Sequence, residues 1–267
     1  MICLRAKSVD EAVQFLEKYP EFSLLDGGSD LVLQLKKKGV SGIIDISTLE
    51  SLKYIKTDKK TIEIGALTTI NTILDDENIT QHLPVLSQAC KSFASHQIRN
   101  IASLGGNVGN DSPVADLIAP LLVLGAEVVL KGVKGERKIF LEELFCGYKS
   151  LALDKELICS FIIPLKRHRF YYRKVGARAS LNISKVSLVV VRFSDGAYKI
   201  SGNSLNPYVK RFKNLETLLC AQNYNDKQLK EALSKDIAPS GSFRSTKEYR
   251  ERVVFNMLLE ALKVLHS

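Results

Sequence analysis

The chain has 267 residues, with 38 Lys and Arg against 29 Asp and Glu, so its formal net charge is +9. Hydrophobic residues make up 45% and charged residues 25%, which are ordinary values for a globular protein and exclude wholesale disorder. The longest apolar run, Leu117–Leu130, is interrupted by Pro120 and Glu127 and is too short to span a bilayer. The N-terminus lacks a hydrophobic signal segment, so we expect a cytoplasmic protein without a membrane span.

The five cysteines are odd in number and far apart, and no C-x-x-C motif is present. This spacing argues against a disulfide framework and against a metal site built from neighbouring residues. A reducing compartment agrees with such isolated cysteines. The sequence therefore predicts no metal site on this chain.

Short helices and strands alternate in the first part of the chain. Ser8 followed by Glu11 forms a capping box ahead of an amphipathic helix over residues 8–19. A strand at Phe22–Leu25 then leads through a glycine turn into a helix at Leu31–Lys37. The remaining predictions are strands at Gly42–Ile46, Leu52–Ile55 and Thr61–Ile64, helices at 65–74 and Leu83–Phe93, an irregular segment at His96–Pro113, a helix at Asp116–Leu124, and strands at Ala126–Lys131 and Glu156–Ile163.

The composition changes at a charge run, Lys166–Arg169. Beyond it, apolar alternation predicts antiparallel strands, and helical spacing predicts amphipathic helices. We therefore expect an α+β chain in two parts, about 1–165 and 166–267. The predicted elements of the second part are strands at Phe170–Lys174, Val186–Phe193 and Ala197–Gly202, and helices at Phe212–Leu219, Asp226–Leu233 and Thr246–Leu265.

The first glycine-rich segment, Leu24–Leu31, lies between a predicted strand and a predicted helix. Its Gly27-Gly28 pair can adopt positive φ and lets backbone amides approach a ligand closely. Such amides, with a helix N-terminus behind them, suit a pyrophosphate. A tight turn capped by Ser29 or Asp30 explains the same residues equally well.

The second segment, Gln97–Asp116, contains three glycines, three asparagines and two serines. A polar segment of this length is more often functional than idle. Its amides and its Ser and Asn side chains can donate to phosphate, and Asp116 can accept from ribose hydroxyls. Neither segment has the Gly-Lys-Ser/Thr end of a Walker A loop, and no G-x-G-x-x-G follows a strand.

These segments, taken together with other short phrases, resemble the FAD-binding subunit of the molybdenum hydroxylases. That family includes xanthine dehydrogenase, carbon monoxide dehydrogenase and aldehyde oxidoreductases. The resemblance covers nearly the full chain, and its most specific part is the second glycine-rich segment. The other phrases similar to family signatures are Ile44–Ser47, Ile64–Thr69, Tyr172–Gly176 and Ser242–Arg250.

The resemblance implies an α+β fold. A two-part FAD-binding domain of the vanillyl-alcohol oxidase (PCMH) type is expected at 1–165, with subdomains at about 1–55 and 56–165. A small α/β C-terminal domain of the CO dehydrogenase flavoprotein type, with an antiparallel sheet and helices, is expected at 166–267.

The resemblance also implies where FAD contacts fall. Phe93, Leu31 and Ile158 are apolar enough to line a flavin or adenine ring, and Lys174 supplies a cation that favours an electron-rich flavin. The glycines allow close backbone approach. The full predicted set is Leu24, Leu25, Asp26, Gly27, Gly28, Ser29, Asp30, Leu31, Phe93, Ala94, Ala102, Ser103, Gly105, Gly106, Asn107, Asp116, Ile158 and Lys174.

Two acidic residues depart from the family pattern. Asp26 stands where a small apolar residue is commoner, and a carboxylate beside a pyrophosphate is electrostatically unfavourable. We expect Asp26 to point away or to pair with a nearby lysine. Asp111 adds a second charge within the second segment. Neither departure removes a phosphate donor, so FAD remains the predicted cofactor.

By resemblance, the chain is an oxidoreductase subunit that receives electrons from iron–sulfur centres and passes them to NAD⁺ or another acceptor. The iron–sulfur clusters and the molybdopterin are expected on two partner subunits, an iron–sulfur subunit and a large molybdopterin subunit. A hydride leaving the flavin needs no amino-acid acid or base, so no catalytic residue is predicted.

Three alternatives remain open at this point. A free-standing FAD-dependent reductase of related fold would share the glycine-rich segments, and a scaffold subunit that has lost FAD would share the fold. The net charge of +9 prompts a nucleic-acid-binding module. Against that module, Trp is absent and Phe and Tyr total only 7%, so stacking platforms are not evident and we expect no nucleic acid.

Overall fold

The computed structural model describes residues 1–178 and 183–266, without the side chains of residues 36–38. Within these residues the strands are β1 (Ile2–Arg5), β2 (Ser23–Leu25), β3 (Gly42–Asp45), β4 (Ile55–Thr57), β5 (Thr61–Gly65), β6 (Glu127–Gly132), β7 (Gly135–Phe140), β8 (Phe145–Gly147), β9 (Ser150–Leu151), β10 (Leu157–Pro164), β11 (His168–Val175), β12 (Val186–Phe193) and β13 (Tyr198–Ser201). The α-helices are α1 (Val9–Lys18), α2 (Leu31–Lys38), α3 (Ile70–Asp75), α4 (Glu77–His82), α5 (Pro84–Ser92), α6 (His96–Arg99), α7 (Leu104–Gly109), α8 (Ile118–Leu124), α9 (Lys213–Cys220), α10 (Asp226–Asp236) and α11 (Lys247–His266).

The N-terminal elements form a parallel three-stranded sheet in the order β1-β3-β2. Ser8 begins α1 by accepting a hydrogen bond from the amide of Glu11 at 3.1 Å, as the capping box predicts. The inner face of α1 buries Ala12, Val13 and Leu16. Strand β3 is buried along its whole length, which agrees with its central place in the sheet.

The middle of the chain builds an antiparallel five-stranded sheet in the order β4-β5-β10-β6-β7. Its central strand, β10, pairs with β5 on one side and with β6 on the other. Helix α8 lies in the same core, and all seven of its residues are buried. The apolar run at 117–130 is therefore a buried helix followed by a buried strand, joined at Gly125, whose φ of +73° ends the helix.

The C-terminal elements form an antiparallel sheet in the order β11-β12-β13. Strand β12 alternates between two cores, as the period of two in a strand requires. Leu188 and Val190 pack with the long helix α11, whereas Val189 and Val191 join the core that contains α8. The sheet of β11, β12 and β13 therefore packs directly against the core that contains α8.

These elements confirm the predicted α+β fold class. The division into parts at about residues 55 and 165 stays a prediction, although three buried clusters are centred on the three larger sheets. Among the described residues, no helix has both the length and the apolar composition that crossing a membrane demands.

Several element predictions were wrong in detail. The helix predicted over residues 65–74 begins only at Ile70, because β5 extends to Gly65 and Thr69 caps the helix by accepting from the amide of Thr72. The strand predicted at Leu52–Ile55 is instead a 3-10 turn followed by the short β4. Elements that the sequence did not predict are β1, α4, α6, α7, β7 and the hairpin of β8 and β9.

The central strand of the five-stranded sheet provides a test of the core. Phe161→Ala, in β10, removes a fully buried ring and should lower the free energy of unfolding by about 3–5 kcal/mol. Phe140→Ala, at the edge strand β7, removes a ring that is 56% exposed and should cost less than about 1 kcal/mol. Urea unfolding of the two variants measures both values, and equal losses would contradict this assignment of the core.

Candidate functional site: a cleft between two glycine-rich loops

A cleft of about 960 Å³ lies where the two glycine-rich segments meet. Its volume is at the upper end of the range for small-molecule and cofactor sites. Every site residue predicted from the sequence except Lys174 lies on its lining. The structure therefore brings together residues that are more than a hundred positions apart in the chain, from Leu24 to Ile158.

The first loop connects the end of β2 to the start of α2. Gly28 has φ +65°, a left-handed conformation that favours glycine. In the parts of the chain that the structure describes, the amides of Gly28, Ser29 and Asp30 donate to no protein acceptor. Asp30 makes no side-chain capping bond to α2, and its carboxylate accepts from the side chain of Gln34 instead. The capped-turn alternative is therefore not what this loop forms.

Gly27 is the point at which the two loops touch. A Cβ atom added to Gly27 would lie 1.6 Å from the carbonyl oxygen of Ile101 in the second loop. No side chain fits at that distance, so backbone meets backbone. This contact holds the amides of the first loop beside the second loop.

The second loop contains two short helices, α6 and α7, rather than an irregular chain. Ser103 begins α7 by accepting from the amide of Gly106 at 3.2 Å. The amide of Gly105 donates to the carbonyl of Ala66 at 2.7 Å, and a Cβ atom on Gly105 would lie 2.8 Å from that oxygen. The glycines of this loop therefore bring its backbone against the strand end that precedes α3.

Arg99 is the basic residue of this loop, and it braces the backbone. Its guanidinium donates to the carbonyl of Phe93 at 2.9 Å and to the side-chain oxygen of Asn71 at 2.9 Å. Asn71, which is buried, also contacts the ring of His96 at 2.8 Å. The brace supports the strained turn at Ala94, whose φ is +36°. The role of Arg99 as a brace was not evident from the sequence.

Asp116 and Lys174 form a buried ion pair behind the cleft. The Lys174 ammonium lies 2.6 Å from an Asp116 carboxylate oxygen, and the two side chains are only 6% and 9% exposed. Lys174 also donates to the carbonyl of Ser92 at 3.1 Å. Burial raises the pKa of the Asp116 carboxyl, and the ion pair opposes that rise. Lys174 does not line the cleft itself, but it contacts the lining residue Asp116. Its effect on a flavin stays a prediction.

The two acidic departures from the family pattern have different surroundings. Burial raises the pKa of Asp26, while the Ser103 hydroxyl and the Gly27 amide oppose that rise. Asp26 forms no ion pair with a described lysine, so the expected lysine partner is not found there. Asp111 accepts from the amide of Ser150 at 2.9 Å, and burial raises its pKa to about 6. Asp111 thereby ties the second loop to the hairpin of β8 and β9.

The sequence analysis missed part of the lining. Ser95 caps α6 and Ile98 lies within it, and Asn110, Ser112 and Val114 continue the second loop. Their positions next to predicted residues could have identified them from the sequence. The stretch from Leu153 to Leu157, ahead of β10, carried no comparable signal. Lys155 is the basic lining residue among those described, and it pairs with Glu17 at 3.0 Å.

These features fit an elongated ligand with an anionic middle and flat apolar ends. Unpartnered amides and small hydroxyls neutralise phosphate oxygens through hydrogen bonds rather than through cations. Apolar side chains at Leu31, Phe93 and Ile158 offer surfaces for rings. FAD has this composition, and the orphaned carboxylate oxygen of Asp116 adds a buried acceptor suited to a sugar hydroxyl.

The contact at Gly27 gives a direct test of the joined loops. Gly27→Ala should cost more than about 3 kcal/mol in unfolding free energy, because its methyl group would overlap the Ile101 carbonyl. Gly39→Ala, which places a methyl group in open space at φ +58°, should cost about 1–2 kcal/mol from backbone strain alone. Denaturant unfolding compares them, and a smaller loss for Gly27→Ala would contradict the close approach.

The raised pKa of Asp111 predicts a pH dependence. Because its folded-state pKa lies above the unfolded-state value, the folded protein binds the proton more tightly and loses stability as pH rises through about 6. Asp111→Asn keeps an acceptor for the Ser150 amide without the charge, so it should stabilise the protein by up to about 1 kcal/mol at pH 8 and by almost nothing at pH 4. Thermal unfolding at the two pH values measures this, and a pH-independent effect would refute it.

Comparison with known proteins places this chain in a family. A family model described as the FAD binding domain in molybdopterin dehydrogenase matches residues 1–166. The glyceraldehyde dehydrogenase medium chain of Sulfolobus acidocaldarius is 29% identical, with 97% of this chain and 96% of that protein covered. The nicotinate dehydrogenase FAD-subunit of Eubacterium barkeri is 30% identical over 80% of this chain and 77% of its own length.

A solved structure shows the same fold along the whole chain. Carbon monoxide dehydrogenase from Hydrogenophaga pseudoflava contains a chain that superposes with a TM-score of 0.91 at 24% identity, covering 99% of this chain and 96% of that chain. The fold predicted from the resemblance is confirmed by this match. The family model and the relatives also confirm FAD as the cofactor and an oxidoreductase as the enzyme class. They give no support to a free-standing reductase or to a nucleic-acid-binding module.

The matched region contains both glycine-rich loops and the described cleft lining except Ile183, and the ion-pair residue Lys174 also lies beyond it. The chain belongs to the FAD-binding subunits of the molybdenum hydroxylases, the family of the FAD binding domain in molybdopterin dehydrogenase.

Proposed function

We propose that this chain is the FAD-carrying electron-transfer subunit of a xanthine dehydrogenase-like molybdenum hydroxylase. It accepts electrons from the iron–sulfur centres of one partner subunit and passes them to NAD⁺ or another acceptor. A large molybdopterin subunit selects and oxidises the substrate. The names of the relatives, a medium chain and an FAD-subunit of two dehydrogenases, support such an assembly. We place the complex in the cytoplasm.

The observation that carries this proposal is the convergence of the predicted FAD contacts on one cleft. Within the described parts of the chain, the amides of residues 28–30 donate to no protein acceptor, and they would hold the pyrophosphate together with the second loop. Asn107 accepts from the amide of Leu117 at 3.2 Å through its side-chain oxygen, so its side-chain NH₂ group stays available to a phosphate oxygen. Asp116 would accept from a ribose hydroxyl.

FAD, when bound, supplies the ability to take up electrons singly and to give up two as a hydride. The residues of this chain bind it, orient it and shield it from water. Leu31, Phe93 and Ile158 provide the apolar surface for its rings. No proton donor or acceptor from the protein is required for hydride release, and this agrees with the absence of an assigned catalytic residue.

Anaerobic titration of the purified full-length chain tests both halves of the proposal. The chain should bind FAD in one-to-one ratio, and NADH should then bleach the visible flavin absorbance, because hydride transfer is reversible in principle. Dithionite serves as the control that the bound flavin is reducible.

The outcomes separate the cofactor from its acceptor. A chain that takes up no FAD would contradict the proposed function. A bound flavin that dithionite reduces but NADH does not would refute NAD⁺ as the acceptor and leave the electron-transfer role to another carrier.

A further inference from the structure

The segment that follows β13, Gly202–Leu205, reaches from the C-terminal part of the chain to the end of the second loop. We call it the bridging segment. The amide of Ser204 donates to the carbonyl of Pro113 at 2.8 Å. Ser204 has φ +64°, an unfavourable conformation for a residue with a side chain. The residue with the strained backbone, Ser204, is therefore the one whose amide contacts the second loop.

A second contact joins the bridging segment to the cleft. The Asn203 side chain lies close to the Asp116 carboxylate and opposes the rise in its pKa. Asn203 and Asp116 are both buried, at 1% and 7% exposure. Pro113 and Asp116 bracket the lining residues Val114 and Ala115, so the bridging segment holds both ends of this stretch of cleft wall.

Arg250, on α11, holds the bridging segment from the other side. Its guanidinium donates to the carbonyl of Ser204 at 2.9 Å and to the hydroxyl of Ser242 at 3.0 Å. Arg250 is only 7% exposed, and no described carboxylate lies within ion-pair distance of it. Burial lowers the pKa of the guanidinium, a sign that the site is costly to a cation.

A buried cation without a counter-ion is expected to lower the stability of the folded state, so stability alone does not explain Arg250. Its bond to the Ser204 carbonyl instead holds the residue whose amide contacts the cleft wall, and its bond to the Ser242 hydroxyl anchors the guanidinium. The path runs from the guanidinium to the Ser204 carbonyl, through the Ser204 backbone to its amide, and on to the Pro113 carbonyl. Both hydrogen bonds of this path involve backbone groups of Ser204. The path therefore constrains the position of the backbone and does not neutralise the charge of the guanidinium.

We propose that Arg250 is a positioning residue for the FAD cleft, acting through the bridging segment on the Pro113–Asp116 wall. This inference rests on the proposed function. It assigns a role in cofactor binding to the part of the chain beyond the matched FAD-binding domain. Arg250 itself is not on the cleft lining.

The test uses the full-length chain stripped of FAD and retitrated by quenching of FAD fluorescence. Arg250→Gln should weaken FAD binding about tenfold or more and should change the visible circular dichroism of the bound flavin, because the cleft wall that Arg250 positions through Ser204 is no longer fixed.

Arg211→Gln is the matched control. Arg211 is a largely buried guanidinium in the same part of the chain, but its partners are Glu216 and Glu142, away from the cleft. This variant should lose thermal stability while its FAD affinity and flavin dichroism stay unchanged. If Arg250→Gln does not fold, Ser242→Ala, which removes one anchor of the guanidinium, should still weaken FAD binding about threefold.

Two results would contradict the inference. Arg250→Gln or Ser242→Ala with a lower melting temperature but wild-type FAD affinity and dichroism would overturn the inference and leave a structural role alone. Failure of the wild-type chain to bind FAD would overturn the proposed function, and the inference would fall with it.

Discussion

The contact between Gly27 and the carbonyl of Ile101 is the constraint on which the cleft depends. The first loop follows strand β2 and the second lies between helices α5 and α8, and the two meet backbone against backbone at this point. Residues 28–30, which follow Gly27, line the cleft, and their amides donate to no acceptor among the described residues. Glycine is therefore required here for space, whereas at Gly28 it is required for a positive φ.

The electrostatics of the site follow from that arrangement. The described lining includes three aspartates, at positions 26, 30 and 116, and its lysine is already paired with Glu17. A pyrophosphate would thus be neutralised by amide dipoles and small polar side chains rather than by cations. The net charge of +9 lies mostly elsewhere on the protein, and it is a property of the surface rather than of the cofactor site.

The charged side chains buried near the cleft have ion-pair or hydrogen-bond partners, which lower the free-energy cost of burying a charge. Lys174 neutralises Asp116 through an ion pair, and the nearby Asn203 side chain also opposes the rise in the pKa of that carboxyl. Arg99 and Arg250 are used in a different way, because each donates to backbone carbonyls that shape the wall. A guanidinium suits this task, since its fixed fork of donors can hold two acceptors at once.

The sequence was sufficient to predict the α+β fold class and to select both loops, because strand–glycine–helix order and a long polar segment are local signals. It could not predict α7, which has six residues and three glycines and depends on the Ser103 cap and on the contact of Gly105 with Ala66. The edge strand β7 was missed because its exposed, charged residues lack apolar alternation. The braces at Arg99 and Arg250 are long-range contacts, which no local pattern encodes.

The central claim is that FAD lies between the two glycine-rich loops, with its pyrophosphate on the amides of residues 28–30. Hydrogen–deuterium exchange of the full-length chain, with and without FAD, tests this most directly, because it reports on individual amides. The account predicts that FAD slows exchange at Gly28, Ser29 and Asp30 and across the second loop from Ser103 to Asn107. FAD binding that left those amides unprotected while slowing exchange elsewhere would contradict it.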